Sequence, residues 1–198
     1  MSEAYNVQPK DDFRENVRYE IHEGKKAYFM AGFFLPHGNI VGNVFTIFKN
    51  YLKGKTCRVF GENINVVFEK DKREYLPDIK IVCDPDKMKD NKRIVGAPDL
   101  IVEVLSAGTE ANDIGYKKDI YEQYGVKEYW IISPAMRSIQ VYLLKDGRYR
   151  LDDIYTFYRD EEYEDLTDEE KSNVKMEFKT SLYDDLIIPV EDVFENVN

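Results

Sequence analysis

The segment at positions 99–106 constrains this chain most, because it is almost entirely apolar yet carries a carboxylate in its middle. Its side chains alternate between the two faces of a predicted strand, and Glu103 is the exception in the strand's interior. A strand that is apolar on both faces is typical of the centre of a sheet covered on both sides. A carboxylate there is costly to bury unless it is paired, hydrogen-bonded or bound to a metal.

A second acid stands at the start of another predicted strand. Asp78 follows Pro77 and leads into the apolar run 79–83, and Lys117 and Lys118 come later on a predicted helix. Magnesium takes one or two protein carboxylates and keeps several waters, so Asp78 and Glu103 fit if they share a face on adjacent strands. A nearby lysine would orient the water or stabilise developing charge. A metal-dependent phosphodiesterase is therefore the first hypothesis.

The overall composition limits the alternatives. The chain has 198 residues, of which 43% are hydrophobic, and this suits one domain with a real core. Lysine and arginine number 28 and aspartate and glutamate 38, so the net charge is −10. This charge argues against a non-specific nucleic-acid coat protein, but it leaves room for a nuclease whose carboxylates are offset by bound cations.

Two cysteines and the lack of targeting signals predict a cytoplasmic protein. Cys57 and Cys83 have no metal-type spacing, and we expect two reduced, buried thiols. The start of the chain is polar and lacks the apolar core of a signal peptide. No run of about 18 apolar residues predicts a membrane span.

Hydrophobic periodicity predicts a mixed α/β sheet with helices on both faces. Two short strands surround Gly24, and apolar residues at helical spacing predict a helix between Pro36 and Gly54. Further strands are predicted at 56–60, 63–69, 78–83, 99–106 and 128–133. The unit from 99 to 133, with a helix over 110–124, is typical of a βαβ crossover.

The C-terminal part begins with a predicted hairpin around Asp146-Gly147. The acidic stretch that follows has Thr167 as a candidate helix cap, and the apolar segment 182–194 is expected to dock on the core. We expect one domain over 1–198, with a polar extension at 1–16 and an acidic insertion and C-terminal docking segment at 159–198.

These residues, taken in order, resemble the Uma-two family of restriction endonucleases within the PD-(D/E)xK nuclease superfamily. The resemblance rests on Pro77-Asp78, on the string 97–106, on Asp113, Lys117 and Tyr121, and on the string 125–132. It covers most of the chain, from about Tyr19 to the tail at 181–194.

The resemblance implies a restriction-endonuclease-like fold, a mixed β-sheet core flanked by helices, with a magnesium site. Asp78 matches the motif's aspartate and Glu103 its second acid. In the superfamily's standard motif a lysine follows the second acid by two residues, but this chain has Leu105 there. The family takes its lysine from the following helix instead, and Lys117 matches that position. The family's aspartate before the proline at 134 is also absent, because this chain has Ser133.

Several of these residues have a plainer interpretation. Glu103 and Lys117 could instead form a buried ion pair. Lys118 is an alternative to Lys117 as the catalytic lysine. Glu62 is a candidate for a further acidic group near the metal. His37 is a candidate for a contact to phosphate or metal, although a histidine at the start of a helix commonly caps the helix or packs against it. Tyr121 is expected in the core or beside the site, and Asp99 in a structural role.

The main hypothesis is a magnesium-dependent DNA endonuclease, with manganese as a substitute ion, that uses Asp78, Glu103 and Lys117. The alternative is a non-catalytic interaction or regulatory protein that retains the fold, which the charge of −10 favours. The expected partner is double-stranded DNA, with RNA left open. A homodimer would match a two-fold DNA site.

Overall fold

The computed structural model describes residues 18–28, 34–106 and 113–197. The strands are β1 (Tyr19–His22), β2 (Lys25–Tyr28), β3 (Arg58–Phe60), β4 (Val66–Glu69), β5 (Arg73–Tyr75), β6 (Ile79–Val82), β7 (Ile94–Val95), β8 (Leu100–Val104), β9 (Glu128–Ser133), β10 (Ser138–Lys145), β11 (Arg148–Thr156), β12 (Glu177–Lys179) and β13 (Ile187–Pro189). The helices are α1 (Leu35–Tyr51), α2 (Lys118–Tyr124), α3 (Asp160–Glu164), α4 (Asp168–Asn173) and α5 (Val190–Val193). A 3-10 turn covers Pro85–Met88, and a π-helical turn over Asp113–Lys117 leads into α2.

A six-stranded mixed sheet forms the centre of the fold, in the order β11-β10-β9-β8-β6-β3. Adjacent strands in this sheet are antiparallel except for β8 and β9, which run parallel and are joined through α2. This is the βαβ crossover that the sequence predicts. All five residues of β8 are buried, as expected for a central strand covered on both faces.

Helices cover both faces of this sheet. On one face the apolar stripe of α1, with Ile40, Val44 and Phe48, packs against the sheet in a cluster that includes Leu100 and Trp130. On the other face α2 packs in a cluster rich in tyrosine, formed by Tyr75, Ile101, Leu105, Ile120, Tyr121, Val126, Tyr129 and Ile131. Side chains along β8 alternate between the two faces, and Glu103 points to the same face as Ile101 and Leu105. Its carboxylate therefore lies among tyrosines.

A second, five-stranded sheet was not predicted as a separate sheet. Its order is β2-β1-β5-β4-β7, and only β4 and β7 are parallel. The strands around Gly24 are confirmed, and the strand predicted at 63–69 is present over Val66–Glu69, but the pairing of these strands depends on contacts distant in sequence. Ile21 in β1 pairs with Glu74 in β5, for example. This sheet brings the N-terminal hairpin close to the central sheet.

Local turn and cap chemistry follows the sequence closely. Asp146 and Gly147, in the predicted β10–β11 hairpin, both have positive φ, at 54° and 74°. Gly125 ends α2 in the left-handed conformation. Thr167 caps α4 in a reciprocal capping box with Glu170.

The C-terminal segment docks on the core as predicted. Phe178 and Ile188, from the antiparallel pair β12–β13, join the same apolar cluster as α1. Glu128 anchors this segment, since its carboxylate accepts hydrogen bonds from Thr180 Oγ1 (2.9 Å) and from Ser181 N (2.7 Å) and Oγ (2.5 Å). Trp130 Nε1 donates to its other oxygen at 2.6 Å.

The expectation of two reduced thiols is wrong for this structure, because Cys57 and Cys83 form a disulfide. The β3–β6 register pairs Arg58 with Val82, and extending it by one residue sets the two cysteines opposite each other. Their sequence spacing alone could not show this. Within the described ranges no helix is long and apolar enough to cross a membrane.

Candidate functional site

Asp78 and Glu103 lie opposite each other at one end of the central sheet. The antiparallel β6–β8 register pairs Ile79 with Val102, and one further step places Asp78 across from Glu103. Residues directly opposite in an antiparallel pair point to the same face. The structure therefore brings together the two acids that the sequence singles out.

The carboxylate of Asp78 is held through one of its oxygens. Oδ2 accepts a hydrogen bond from the backbone N–H of Val104 at 2.7 Å and lies 3.3 Å from His37 Nε2. Within the described residues Oδ1 takes part in no hydrogen bond. His37 stands in the first turn of α1, so the start of that helix reaches the acid pair.

Lys117 lies at the centre of a buried cluster of three carboxylates. Its Nζ is 3.2 Å from Glu103 Oε1, 3.0 Å from Asp113 Oδ1 and 3.2 Å from Glu20 Oε1. All four side chains are buried. The Glu103–Lys117 ion pair that the sequence left open as an alternative is present, and it lies beside the acid pair.

The charges of this cluster do not balance when every group is ionised, because three carboxylates surround one ammonium. Burial raises the pKa of Glu103 well above its ordinary value, although Lys117 opposes the shift. Burial lowers the pKa of Lys117, but Glu103, Glu20 and Asp113 outweigh it and hold that pKa well above its usual value. Lys117 therefore stays charged, while Glu103 retains a proton more readily than a free glutamate.

Tyrosines complete the wall of the cluster. Tyr121 OH donates to Glu103 Oε1 at 2.7 Å, and burial raises the pKa of Tyr121 well above its usual value. Tyr129 OH donates to the backbone carbonyl of Asp113 at 2.9 Å, which ties the π-helical turn to β9. Both hydrogen bonds to the Glu103 carboxylate within the described ranges reach Oε1.

Glu62 and His37, the secondary candidates, lie near Asp78. Burial lowers the pKa of His37, but Asp78, with a smaller effect of Glu62, raises it overall. Glu62 lies two residues beyond β3, where the extended β3–β6 register faces Asp78. Its Oε2 accepts a hydrogen bond from Arg18 at 2.6 Å, so this carboxylate is already partly engaged.

Two charged residues in this region were missed by sequence reasoning. Glu20 on β1 joins the Lys117 cluster and also accepts a hydrogen bond from the backbone N–H of Leu76 at 3.0 Å. Lys80 in β6 is fully buried beside the acid pair. A lone charge in an otherwise apolar strand is the signal that identified Glu103, and the same signal would have found Lys80. Glu20 carried no comparable signal.

Other candidates lie apart from the acid pair. Asp99 Oδ2 accepts from the backbone N–H of Cys83, and Oδ1 is 2.8 Å from Lys127 Nζ, in line with the structural role expected for it. Lys118 Nζ lies over the Tyr142 ring, 3.7 Å from its centroid. The predicted start of the helix at 110 falls outside the described residues.

The donor set fits a hard divalent cation of the magnesium type. Two carboxylates on adjacent strands share a face, and each has one oxygen engaged while the other makes no hydrogen bond within the described residues. Magnesium needs only one or two such carboxylates and completes its shell with water. No group of three or more histidine, cysteine, aspartate or glutamate side chains with metal-binding geometry occurs in the described ranges, so a cage made entirely of protein ligands is absent there.

Comparison with known proteins identifies the family and the fold. The family model of Uma2, "Putative restriction endonuclease", matches residues 2–178. "Uncharacterized protein slr1290" of Synechocystis sp. is 30% identical over 134 residues, which cover 67% of this chain and 70% of that protein. A crystal structure of "a putative nuclease belonging to DUF820" from Anabaena variabilis superposes with a TM-score of 0.65 over 89% of each chain, at 17% identity, and shows the same fold. The chain belongs to the Uma2 family of restriction-endonuclease-like proteins.

Proposed function

We propose that this protein is a divalent-metal-dependent DNA endonuclease in which Asp78 and Glu103 bind the metal. The observation that carries the proposal is the position of these acids opposite each other on β6 and β8, with Lys117 Nζ 3.2 Å from Glu103. Family membership supports nuclease chemistry. Dependence on magnesium, with manganese as a substitute, follows from the hard oxygen ligands.

The reaction is hydrolysis of a phosphodiester. A water oxygen forms a bond to phosphorus and releases a proton, the bond from phosphorus to the leaving sugar oxygen breaks, and that leaving oxygen takes up a proton. A bound magnesium ion would polarise a phosphoryl oxygen and make the water a stronger nucleophile. Asp78 and Glu103 would bind that ion through their carboxylate oxygens.

The surrounding residues keep this arrangement rigid. The Val104 N–H and His37 hold Asp78, while Lys117 and Tyr121 hold Glu103. The permanent charge of Lys117 also offsets negative charge that develops on the phosphoryl group. A pre-organised site of this kind avoids reorganisation during the reaction.

The proposed substrate is double-stranded DNA, and a homodimer would match a two-fold cleavage site. The net charge of −10 opposes DNA binding overall, so binding depends on local lysine and arginine side chains and on the metal. Binding should therefore weaken steeply as salt rises.

Supercoiled plasmid provides the direct test. We expect the wild-type protein to nick or linearise it with Mg²⁺ or Mn²⁺ and not with EDTA, and we expect Asp78→Asn and Glu103→Gln to abolish cutting. Lys118→Met is the matched control, because that lysine lies over Tyr142 and apart from the acid pair. An intact plasmid with the wild-type protein in both metals would refute the proposal.

A second candidate function is a non-catalytic interaction protein that keeps this fold. It is favoured by the engagement of Lys117 with three carboxylates, which leaves that ammonium fewer protons to offer a substrate. Calorimetry separates the two functions. The endonuclease must bind Mn²⁺ through Asp78 and Glu103, whereas an interaction protein has no need of the ion.

A further inference from the structure

Lys80 is a fully buried lysine on the face of the sheet that carries the acid pair. It lies two residues after Asp78 on β6, so both side chains point to the same face. Its partner across the strand pair is Ile101, which lies two residues before Glu103 on the same face of β8. The side chain of Lys80 is thus next to both proposed metal ligands along the strands.

The ammonium of Lys80 has unusually few partners. Its Nζ donates to the backbone carbonyl of Pro77 at 2.8 Å, and none of the ion pairs within the described ranges includes it. Lys117, by contrast, forms three ion pairs. An ammonium has three protons to donate, and burying it without a direct counter-ion is costly.

The charges around Lys80 come from the site itself. Glu103, Asp78 and Glu62 attract its ammonium from a distance, and Lys117 repels it. Burying an ammonium with so few direct partners carries a desolvation cost. A methionine would fill a similar space without this cost, so stability does not explain a lysine here.

We infer that Lys80 is a resident cation of the acid pair, a positioning residue whose charge offsets Asp78 and Glu103 and opposes the binding of a divalent metal. The inference deepens the proposed function, since it concerns the same metal-binding carboxylates. In this arrangement the hydrogen bond to the carbonyl of Pro77, the residue before Asp78, holds the ammonium in place. A metal ion that enters between the acids meets repulsion from Lys80.

Metal titration of Lys80→Met measures this repulsion directly. Mn²⁺ is titrated into the wild-type protein and the variant by calorimetry, in the same buffer and without DNA. We expect the variant to bind Mn²⁺ about tenfold more tightly, because a positive charge near a divalent ion has been removed. Unchanged or weaker binding would overturn the inference; weaker binding would indicate that the lysine only holds the backbone at Pro77.

Controls separate the charge effect from general structural effects. Lys118→Met removes a lysine from α2 and should leave Mn²⁺ affinity unchanged. Asp78→Asn should abolish Mn²⁺ binding both in the wild-type protein and in Lys80→Met. That result would place the bound ion at the acid pair. Thermal melting should show Lys80→Met at least as stable as the wild type, and Lys80→Gln repeats the titration if the methionine variant does not fold.

The same proteins distinguish failure of this inference from failure of the proposed function. If Lys80→Met binds Mn²⁺ more tightly but neither protein cuts plasmid, the inference holds and the endonuclease proposal fails. If the wild type cuts plasmid and both proteins bind Mn²⁺ equally, the endonuclease proposal holds and the role of Lys80 is refuted. No binding by either protein refutes the role of Lys80.

Discussion

Lys117 Nζ lies 3.2 Å from Glu103 Oε1, and both side chains are buried, with 7% and 3% of their surface exposed. The pair joins the π-helical turn before α2 to the central strand β8. Two further carboxylates, Glu20 and Asp113, share the same ammonium. One lysine thus connects three elements of the fold at the point where the acid pair lies.

Lys117→Met should therefore destabilise the protein severely. Removing the ammonium leaves three buried carboxylates without their ion-pair partner, and breaking a buried pair in this way costs about 3–5 kcal/mol. Urea unfolding of the variant and the wild type measures the difference. A loss below about 1 kcal/mol would show that the carboxylates are already neutral or hydrated.

Tyr121→Phe tests whether the orientation of Glu103 matters for activity. The variant loses the 2.7 Å hydrogen bond to Glu103 Oε1, at a cost of about 1–3 kcal/mol in stability. If the proposed function holds, we expect the cleavage rate to fall about tenfold, equivalent to about 1.4 kcal/mol in the barrier. Plasmid cleavage at saturating Mn²⁺ provides the measurement.

Tyr124→Phe is the matched control on the same helix. Tyr124 OH donates to Glu69 at 2.9 Å and accepts from Arg73 at 3.0 Å, outside the acid pair. Its removal should change stability slightly and leave the cleavage rate unchanged. Equal losses of cleavage in the two variants would contradict a specific role for Tyr121.

Glu128→Gln should change the pH dependence of stability. Burial raises the pKa of Glu128, against the hydrogen bonds from Ser181, Trp130 and Thr180. A carboxyl whose pKa is higher in the folded state stabilises fully below its unfolded pKa and loses that contribution as pH rises through the folded value. The stability advantage of the wild type over the variant should therefore shrink as pH rises above about 4.5.

Urea unfolding at a series of pH values, compared between the two proteins, cancels the titration of all other groups. Glutamine presents two amide N–H donors where the protonated carboxyl presents a single O–H, so the variant should be about 1–3 kcal/mol less stable at low pH. A difference that stays constant or grows with pH would show that the pKa of Glu128 is not raised.

The Cys57–Cys83 disulfide predicts a stability that depends on the redox state. Closing a loop with a sequence separation of 26 residues should stabilise the protein by about 3 kcal/mol. We expect reduction, or Cys57→Ser combined with Cys83→Ser, to lower the free energy of unfolding by that amount. Two free thiols in the unreduced, denatured protein would contradict the disulfide.

Much of the local structure was predictable because it depends on neighbours in the chain. Helical spacing predicted α1, the Asp146-Gly147 pair predicted the β10–β11 hairpin, and Thr167 predicted the cap of α4. Glu103 stood out because a single charge in a doubly apolar strand has a large desolvation cost. These features need no knowledge of distant contacts.

The sequence by itself determined the central strands, the crossover between them and the acids Asp78 and Glu103, since alternation of apolar side chains and turn chemistry act over a few residues. Only the tertiary structure decided that Glu20 would meet Lys117, that Cys57 would face Cys83, and that the N-terminal strands would form a second sheet. Each of these depends on strand pairing between distant segments. A one-residue change of register would turn every side chain of a strand to its other face, and local propensity cannot choose between such registers.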